Sequence, residues 1–213
     1  MENLNVVLRH YSKLKPISCT LLSGDTSKLF TVKFGENENK EVDFFKGDPV
    51  LIGSFSKHES VEIKGGSVVA TIPRENSYII CSNEVNSFLK EKEKREFDRY
   101  PISLLADIKQ VGTGKREAAC INDISYSGMR IYSTGDFEID SVLDVNLYFS
   151  INVVTFEATV LRKAKCFGRN EYGLQILHRD KNAMYATQSQ IATIIQNEKD
   201  LMIRHLSSSV FKI

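Results

Sequence analysis

The 213-residue chain lacks the features that mark several large classes of protein. Its 28 basic and 27 acidic side chains leave a formal net charge of +1, so it has no basic excess of the kind that follows a nucleic-acid backbone. No stretch approaches the roughly 18 apolar residues of a membrane span, and no basic leader precedes an apolar run at its start. We therefore expect a cytoplasmic protein without membrane insertion and without a nucleic-acid partner.

Signatures of metal centres and of nucleotide-dependent enzymes are also missing. The four cysteines include no CxxC pair and the four histidines are dispersed without an HExxH motif, which predicts reduced thiols and no metal site. No GxxxxGK[ST], GxGxxG or GxSxG motif is present. The run GTGK at 112–115 lacks the first glycine and the final hydroxyl of a phosphate loop, and it predicts a hairpin turn. We expect no cofactor.

The chain does contain many short segments rich in Val, Ile, Phe and Thr, separated by turn residues. This spacing predicts a mainly β protein with two small β-barrels in tandem. From residue 183 to 205 the apolar period lengthens, which predicts one amphipathic C-terminal helix whose apolar stripe packs on its own barrel or forms a homodimer or partner contact. The predicted strands are 17–23, 29–34, 41–45, 49–56, 59–72 and 77–82 in the first half and 102–110, 115–124, 128–134, 141–150, 153–167 and 171–178 in the second.

A charged stretch with alternating signs, residues 90–93, separates the two β-rich halves. Alternation of this kind is typical of a solvated helix or linker. We therefore predict a first domain over residues 1–91 and a second domain over 92–213 that includes the helix. A ligand bound next to this linker would fix the angle between the domains, so the linker is a natural hinge.

Two arginines four positions apart, Arg95 and Arg99, open the second half. A guanidinium is planar and permanently charged, and its parallel donors can grip a phosphate or the O6/N7 edge of guanine. Pro101 favours an extended conformation at the preceding residue, which predicts a loop rather than a continuous helix here.

The motif DISYSG begins 24 positions after Arg99 and supplies Asp123, Ser125 and Gly128. An ionised carboxylate only accepts hydrogen bonds, so Asp123 suits the N1 and N2 donors of guanine, while the Ser125 hydroxyl can donate or accept. A positive backbone angle at Gly128 would turn the chain back into a strand and present Asp123 and Ser125 outward.

Together these segments resemble the PilZ domains, which bind the bacterial second messenger cyclic di-GMP. The family pattern is RxxxR ahead of a six-stranded barrel and [D/N]xSxxG on that barrel, and YGLQI at 172–176 is similar to its closing strand. The resemblance covers roughly residues 92–180. The preceding β-rich half resembles the N-terminal, split-barrel-like domain of the flagellar-brake (YcgR-like) branch.

The resemblance implies a cyclic di-GMP receptor, not an enzyme, with ligand contacts from Arg95, Arg99, Asp123, Ser125, Gly128 and Lys94. Lys94 stands where some family members have an arginine that stacks on a ligand dimer, so one or two ligands per chain remain open. The resemblance also implies a flagellar stator or switch partner and recruitment to the flagellar basal body. The alternatives are a small β-barrel nucleic-acid-binding protein and an enzyme using the polar run 178–180.

Overall fold

The computed structural model describes residues 5–35, 44–55, 60–83, 96–150 and 152–210. The chain splits into two compact units. One comprises Met1–Lys94 together with Asn197–Ile213, and the other comprises Arg95–Gln196. Each unit is built around its own closed barrel of six antiparallel strands, as the sequence predicts.

The first barrel has the strand order β1-β2-β3-β6-β5-β4. Its interior is filled by inward-facing aliphatic and aromatic side chains such as Leu8, Phe30 and Ile52. Alternation of these residues with more exposed ones produces the period-two pattern of a barrel wall. The strands are β1 (Asn5–His10), β2 (Ile17–Gly24), β3 (Leu29–Phe34), β4 (Pro49–Phe55), β5 (Val61–Ile72) and β6 (Ser77–Ser82).

One strand of the first barrel differs from the sequence prediction. The strand that the sequence analysis did not predict is β1, which pairs with β2 and β4 and so closes the barrel. Its polar residues Arg9 and His10 are buried and paired with Glu198 and Asp48, so the strand does not show the usual apolar alternation. Of the predicted strand 41–45, residues 41–43 lie outside the described residues and the remaining two are not in a strand.

The second barrel contains every strand predicted for its half of the chain. Its order is β10-β11-β12-β9-β8-β7, and its interior is again apolar. The GTGK run forms the turn between β7 and β8, where the Thr113 amide donates to the Gln110 carbonyl at 3.0 Å. The strands are β7 (Tyr100–Gln110), β8 (Arg116–Ser125), β9 (Gly128–Ser133), β10 (Val142–Phe149), β11 (Asn152–Cys166) and β12 (Arg169–Ile176).

One α-helix lies among the described residues: α1, which spans Lys181–Val210. Asp180 caps it, because its carboxylate accepts a hydrogen bond from the Ala183 amide at 2.8 Å. The polar run 178–180 therefore joins β12 to the helix. No helix in the described ranges combines the length and apolar character that a membrane crossing requires.

The apolar stripe of α1 is divided between the two units. Ile191, Ile194 and Ile195 are buried in the core of the second barrel, which agrees with packing on the preceding barrel. Met202 and Leu206 instead pack with two residues of the first unit, Val7 and Leu51. The helix thus contributes to the core of each unit.

Gly128 is the first residue of β9, but glycine is needed there for a different reason from the positive backbone angle that the sequence suggested. Its φ is not positive; among the described glycines, positive φ angles occur at Gly24, Gly47, Gly112 and Gly168. A Cβ at Gly128 would instead lie 2.4 Å from the Leu174 carbonyl oxygen on β12. Glycine is required here because two backbones approach closely.

We expect Gly128→Ala to lower the free energy of unfolding by about 1–3 kcal/mol, because the atom in the way is backbone and cannot rotate aside. Urea-induced unfolding of the full chain measures the effect. Gly114→Ala is the matched control, since a Cβ there meets nothing within 4 Å. Equal unfolding midpoints for Gly128→Ala and the parent protein would contradict this explanation.

Candidate functional site

The predicted segments meet because of how β7, β8 and β9 pair. Pro101 lies opposite Asp123 in the β7–β8 ladder. Arg99, two residues before Pro101, is therefore brought to the same carboxylate. The tight turn after β8 then places Arg130 of β9 opposite Asp123. Strand pairing thus brings together side chains that are far apart in sequence.

Arg99 forms an ion pair with Asp123, with 2.6 Å between Nη1 and Oδ1. The Arg99 side chain is 25% exposed and that of Asp123 is 9% exposed. The ring of Phe97 also contacts the ring of Tyr126 almost perpendicularly, with centroids 5.8 Å apart. Tyr126 lies in the turn after β8. The Arg99–Asp123 and Phe97–Tyr126 contacts therefore hold residues 96–99 against the end of β8 and its turn. Residues 96–99 form a loop, as the sequence predicts.

Arg130 binds the other oxygen of Asp123, with 2.6 Å between Nη2 and Oδ2. The side-chain amide of Asn122 completes the arrangement when its oxygen faces the guanidinium. That oxygen then accepts hydrogen bonds from Nη2 at 2.9 Å and from Nε at 3.1 Å. The Asp123 carboxylate therefore lies between two guanidinium groups, only one of which the sequence identified.

The sequence prediction that the turn presents Asp123 and Ser125 outward is wrong for this structure. Both residues are buried, at 6% and 3% exposure. Arg99 and Arg130 cover the carboxylate of Asp123. The Ser125 hydroxyl accepts from the Gly128 amide at 3.2 Å and donates to the Gly128 carbonyl at 3.1 Å, so it is engaged within its own turn.

A second carboxylate, Glu171 on β12, extends the charged side chains across the barrel. Its oxygens lie 3.9 Å from Nη1 of Arg130 and 3.7 Å from Nη2 of Arg162. Gly173 leaves room for Arg162, since a Cβ on Gly173 would lie 2.6 Å from the Arg162 Nε. We call the resulting series of alternating charges the charge row; it comprises Arg99, Asp123, Arg130, Glu171 and Arg162.

Burial and the charge row together shift the pKa values of nearby groups. Burial raises the pKa of Tyr132, and the charge of Glu171 adds to this effect. Burial also raises the pKa of the Cys166 thiol, with Glu171 again contributing. Burial alone would lower the pKa of Arg130, but Asp123, Tyr132 and Glu171 outweigh it and raise that pKa. Arg130 is therefore a permanently charged partner of Asp123.

The arrangement suits an anion that also offers hydrogen-bond donors. The charge row has three guanidinium groups and two carboxylates, and all three arginines are partly exposed, at 25% for Arg99, 22% for Arg130 and 51% for Arg162. An anionic ligand can compete with Asp123 for Arg99, and a carboxylate released in this way can accept from a base. Of the other predicted ligand residues, Arg95 and Lys94 lie outside the described residues.

Sequence reasoning missed Arg130, Asn122 and Glu171. A signal for Arg130 was available, because a two-residue turn at 126–127 necessarily pairs residue 123 with residue 130. Asn122 and Glu171 had no comparable signal. Asn122 lies at a shift in the β8–β9 ladder, and Glu171 reaches the row only through the pairing of β12 with β9.

Several solved structures are similar to this chain at low identity. Klebsiella MrkH in complex with cyclic di-GMP shares 12% identity and a TM-score of 0.44, with 93% of this chain and 90% of that chain covered. The Bacillus subtilis inhibitor of motility MotI shares 14% identity and a TM-score of 0.40, with 93% of this chain and 97% of that chain covered. Escherichia coli YcgR in complex with cyclic di-GMP shares 12% identity and a TM-score of 0.43, with 98% of this chain and 88% of that chain covered. No curated protein sequence matches the chain.

The family model of the PilZ domain matches residues 93–195. This range contains the whole second barrel, the charge row and the first half of α1. The part of the chain that carries the candidate site is therefore a PilZ domain.

Proposed function

We propose that this protein is a cyclic di-GMP receptor that acts by binding and not by catalysis. The observation that carries the proposal is the contact between Arg99 and Asp123, which are 24 residues apart in the sequence and lie within the range that the PilZ family model matches. The proposed contacts are those of Arg95, Arg99, Asp123, Ser125, Gly128 and Lys94.

The proposed binding step is an exchange of partners. A phosphate of the ligand replaces Asp123 beside Arg99, and the freed Asp123 oxygen accepts from the N1 and N2 donors of a guanine. The partial exposure of the Arg99 side chain supports this exchange, because the incoming anion can approach it from solvent. Arg95 would supply the second guanidinium of the clamp.

We further propose that the bound ligand changes the arrangement of the two domains and that the liganded protein acts in the cytoplasm on a flagellar stator or switch protein at the basal body. The position of the RxxxR segment next to the linker motivates the first part. The motility-related relatives motivate the second part, since MotI is described as an inhibitor of motility.

Arg99→Ala should weaken cyclic di-GMP binding by about 10- to 100-fold, because a charge-assisted hydrogen bond contributes roughly 1.5–3 kcal/mol. Isothermal titration calorimetry on the full chain measures the loss. Arg116→Ala is the matched control: Arg116 also pairs with an aspartate, Asp107, but at the opposite end of β8. Parent-like affinity in Arg99→Ala would contradict the assignment, as would an equal loss in the control.

Small-angle X-ray scattering tests the interdomain change. Cyclic di-GMP at a concentration just sufficient to saturate the parent protein should alter its scattering profile and radius of gyration, and the same concentration should produce a smaller change in Arg99→Ala, which binds more weakly. The physical reason is that a ligand held by residues beside the linker restricts the angles that the linker can adopt. Superimposable profiles with and without ligand would refute this part of the proposal.

Purified stator and switch proteins, each immobilised, test the output. We expect cyclic di-GMP to increase retention of the parent protein on one of them by at least about tenfold, since a ligand shifts an equilibrium by its differential affinity for the two states. At the same ligand concentration, Arg99→Ala should show a smaller increase in retention, because it binds cyclic di-GMP more weakly. Retention that is the same with and without ligand on every surface would rule out this partner class.

A further inference from the structure

Arg130 is held more firmly than Arg99, although both bind Asp123. Arg99 pairs with one carboxylate among the described residues, that of Asp123. Arg130 contacts Asp123, Glu171 and, in the amide orientation given above, Asn122. An incoming anion therefore has one ion pair to displace at Arg99 but several contacts to displace at Arg130.

The two arginines also use different oxygens of the same carboxylate. Arg99 binds Oδ1 and Arg130 binds Oδ2. When Arg99 turns to a phosphate, Oδ1 is released while Oδ2 stays fixed. Without Arg130 the freed carboxylate could rotate about its side-chain torsions, and an ordering cost would fall on ligand binding.

Strand pairing explains why Arg130 can hold the Asp123 carboxylate in one orientation. Arg130 lies directly opposite Asp123 on one side and directly opposite Gly173 of β12 on the other. The missing side chain at Gly173 leaves that position to Arg162, which reaches Glu171 together with Arg130. Glu171 therefore contacts Arg130 from β12, which lies on the opposite side of β9 from the strand that carries Asp123.

We propose that Arg130 is a positioning residue of the cyclic di-GMP site: it fixes Oδ2 of Asp123 so that Oδ1 is oriented for a guanine, and Glu171 anchors it. This inference rests on the proposed function. Arg130 acts through Asp123 and not by touching the ligand.

A double-mutant cycle on the full chain tests the proposal, with cyclic di-GMP affinity measured by calorimetry for the parent, Arg130→Gln, Asp123→Asn and the double variant. Arg130→Gln should weaken binding about tenfold in the parent, but less than about twofold when Asp123→Asn is already present. Equal losses in both backgrounds would show that Arg130 acts independently of Asp123 and would overturn the inference. Parent-like affinity of Arg130→Gln would overturn it as well.

Two further variants separate positioning from general damage to the barrel. Arg130→Lys keeps the charge but cannot bind two acceptors in the forked geometry of a guanidinium, so it should lose about threefold to tenfold in cyclic di-GMP affinity. If Arg130→Gln does not fold, Arg130→Lys replaces it in the double-mutant cycle. Glu171→Gln should lose about threefold, also only when Asp123 is intact. Thermal melts of each variant verify that affinity is measured on folded protein.

The parent measurement distinguishes this inference from the proposed function. A parent protein that binds no cyclic di-GMP refutes both. A parent that binds, with Arg99→Ala impaired and the Arg130–Asp123 cycle additive, leaves the proposed function standing and removes only the positioning role of Arg130.

Discussion

The Asp123 carboxylate between two guanidinium groups is the interaction on which the site depends. A buried carboxylate is costly unless it is paired and hydrogen-bonded, and here Arg99 and Arg130 each take one oxygen. The sheet supplies both partners, since Asp123 is opposite Arg130 in one ladder and opposite Pro101, two residues after Arg99, in the other. The backbone pairing of β7, β8 and β9 thus fixes the chemistry of the site.

This arrangement limits how tightly any ligand can bind. An anion that takes Arg99 replaces an existing ion pair at 2.6 Å and does not fill an empty cation site, so the net gain is the difference between the two pairings. Donors of the ligand that satisfy the released Asp123 oxygen recover part of that cost. A simple anion offers no such donors, which gives a physical reason for the site to select a ligand with both phosphate and guanine.

The sequence predicted the strands of the second barrel, the C-terminal helix and the convergence of Arg99 with the DISYSG segment, because each rests on local periodicity or on the family pattern. It missed β1, whose Arg9 and His10 are buried against Glu198 and Asp48, contacts that no alternation pattern reveals. It also took Asp123 and Ser125 to be outward-facing. For Asp123 the cause is that its partners come from outside the turn, Arg130 from β9 and Arg99 from the loop before β7, and local turn propensities do not contain them.

The two barrels show why architecture alone does not determine the site. Both are closed and six-stranded, and both bury charged side chains. In the first, Arg9 and Glu198 lie 3.3 Å apart with side chains 6% and 5% exposed, and burial raises the pKa of Glu198. An incoming anion cannot reach that arginine without opening the core. In the second, Arg99 is 25% exposed beside a carboxylate that Arg130 also holds, so one partner can leave while the other stays. The proposed exchange of partners at Asp123 therefore depends on the unequal number of contacts that hold the two arginines.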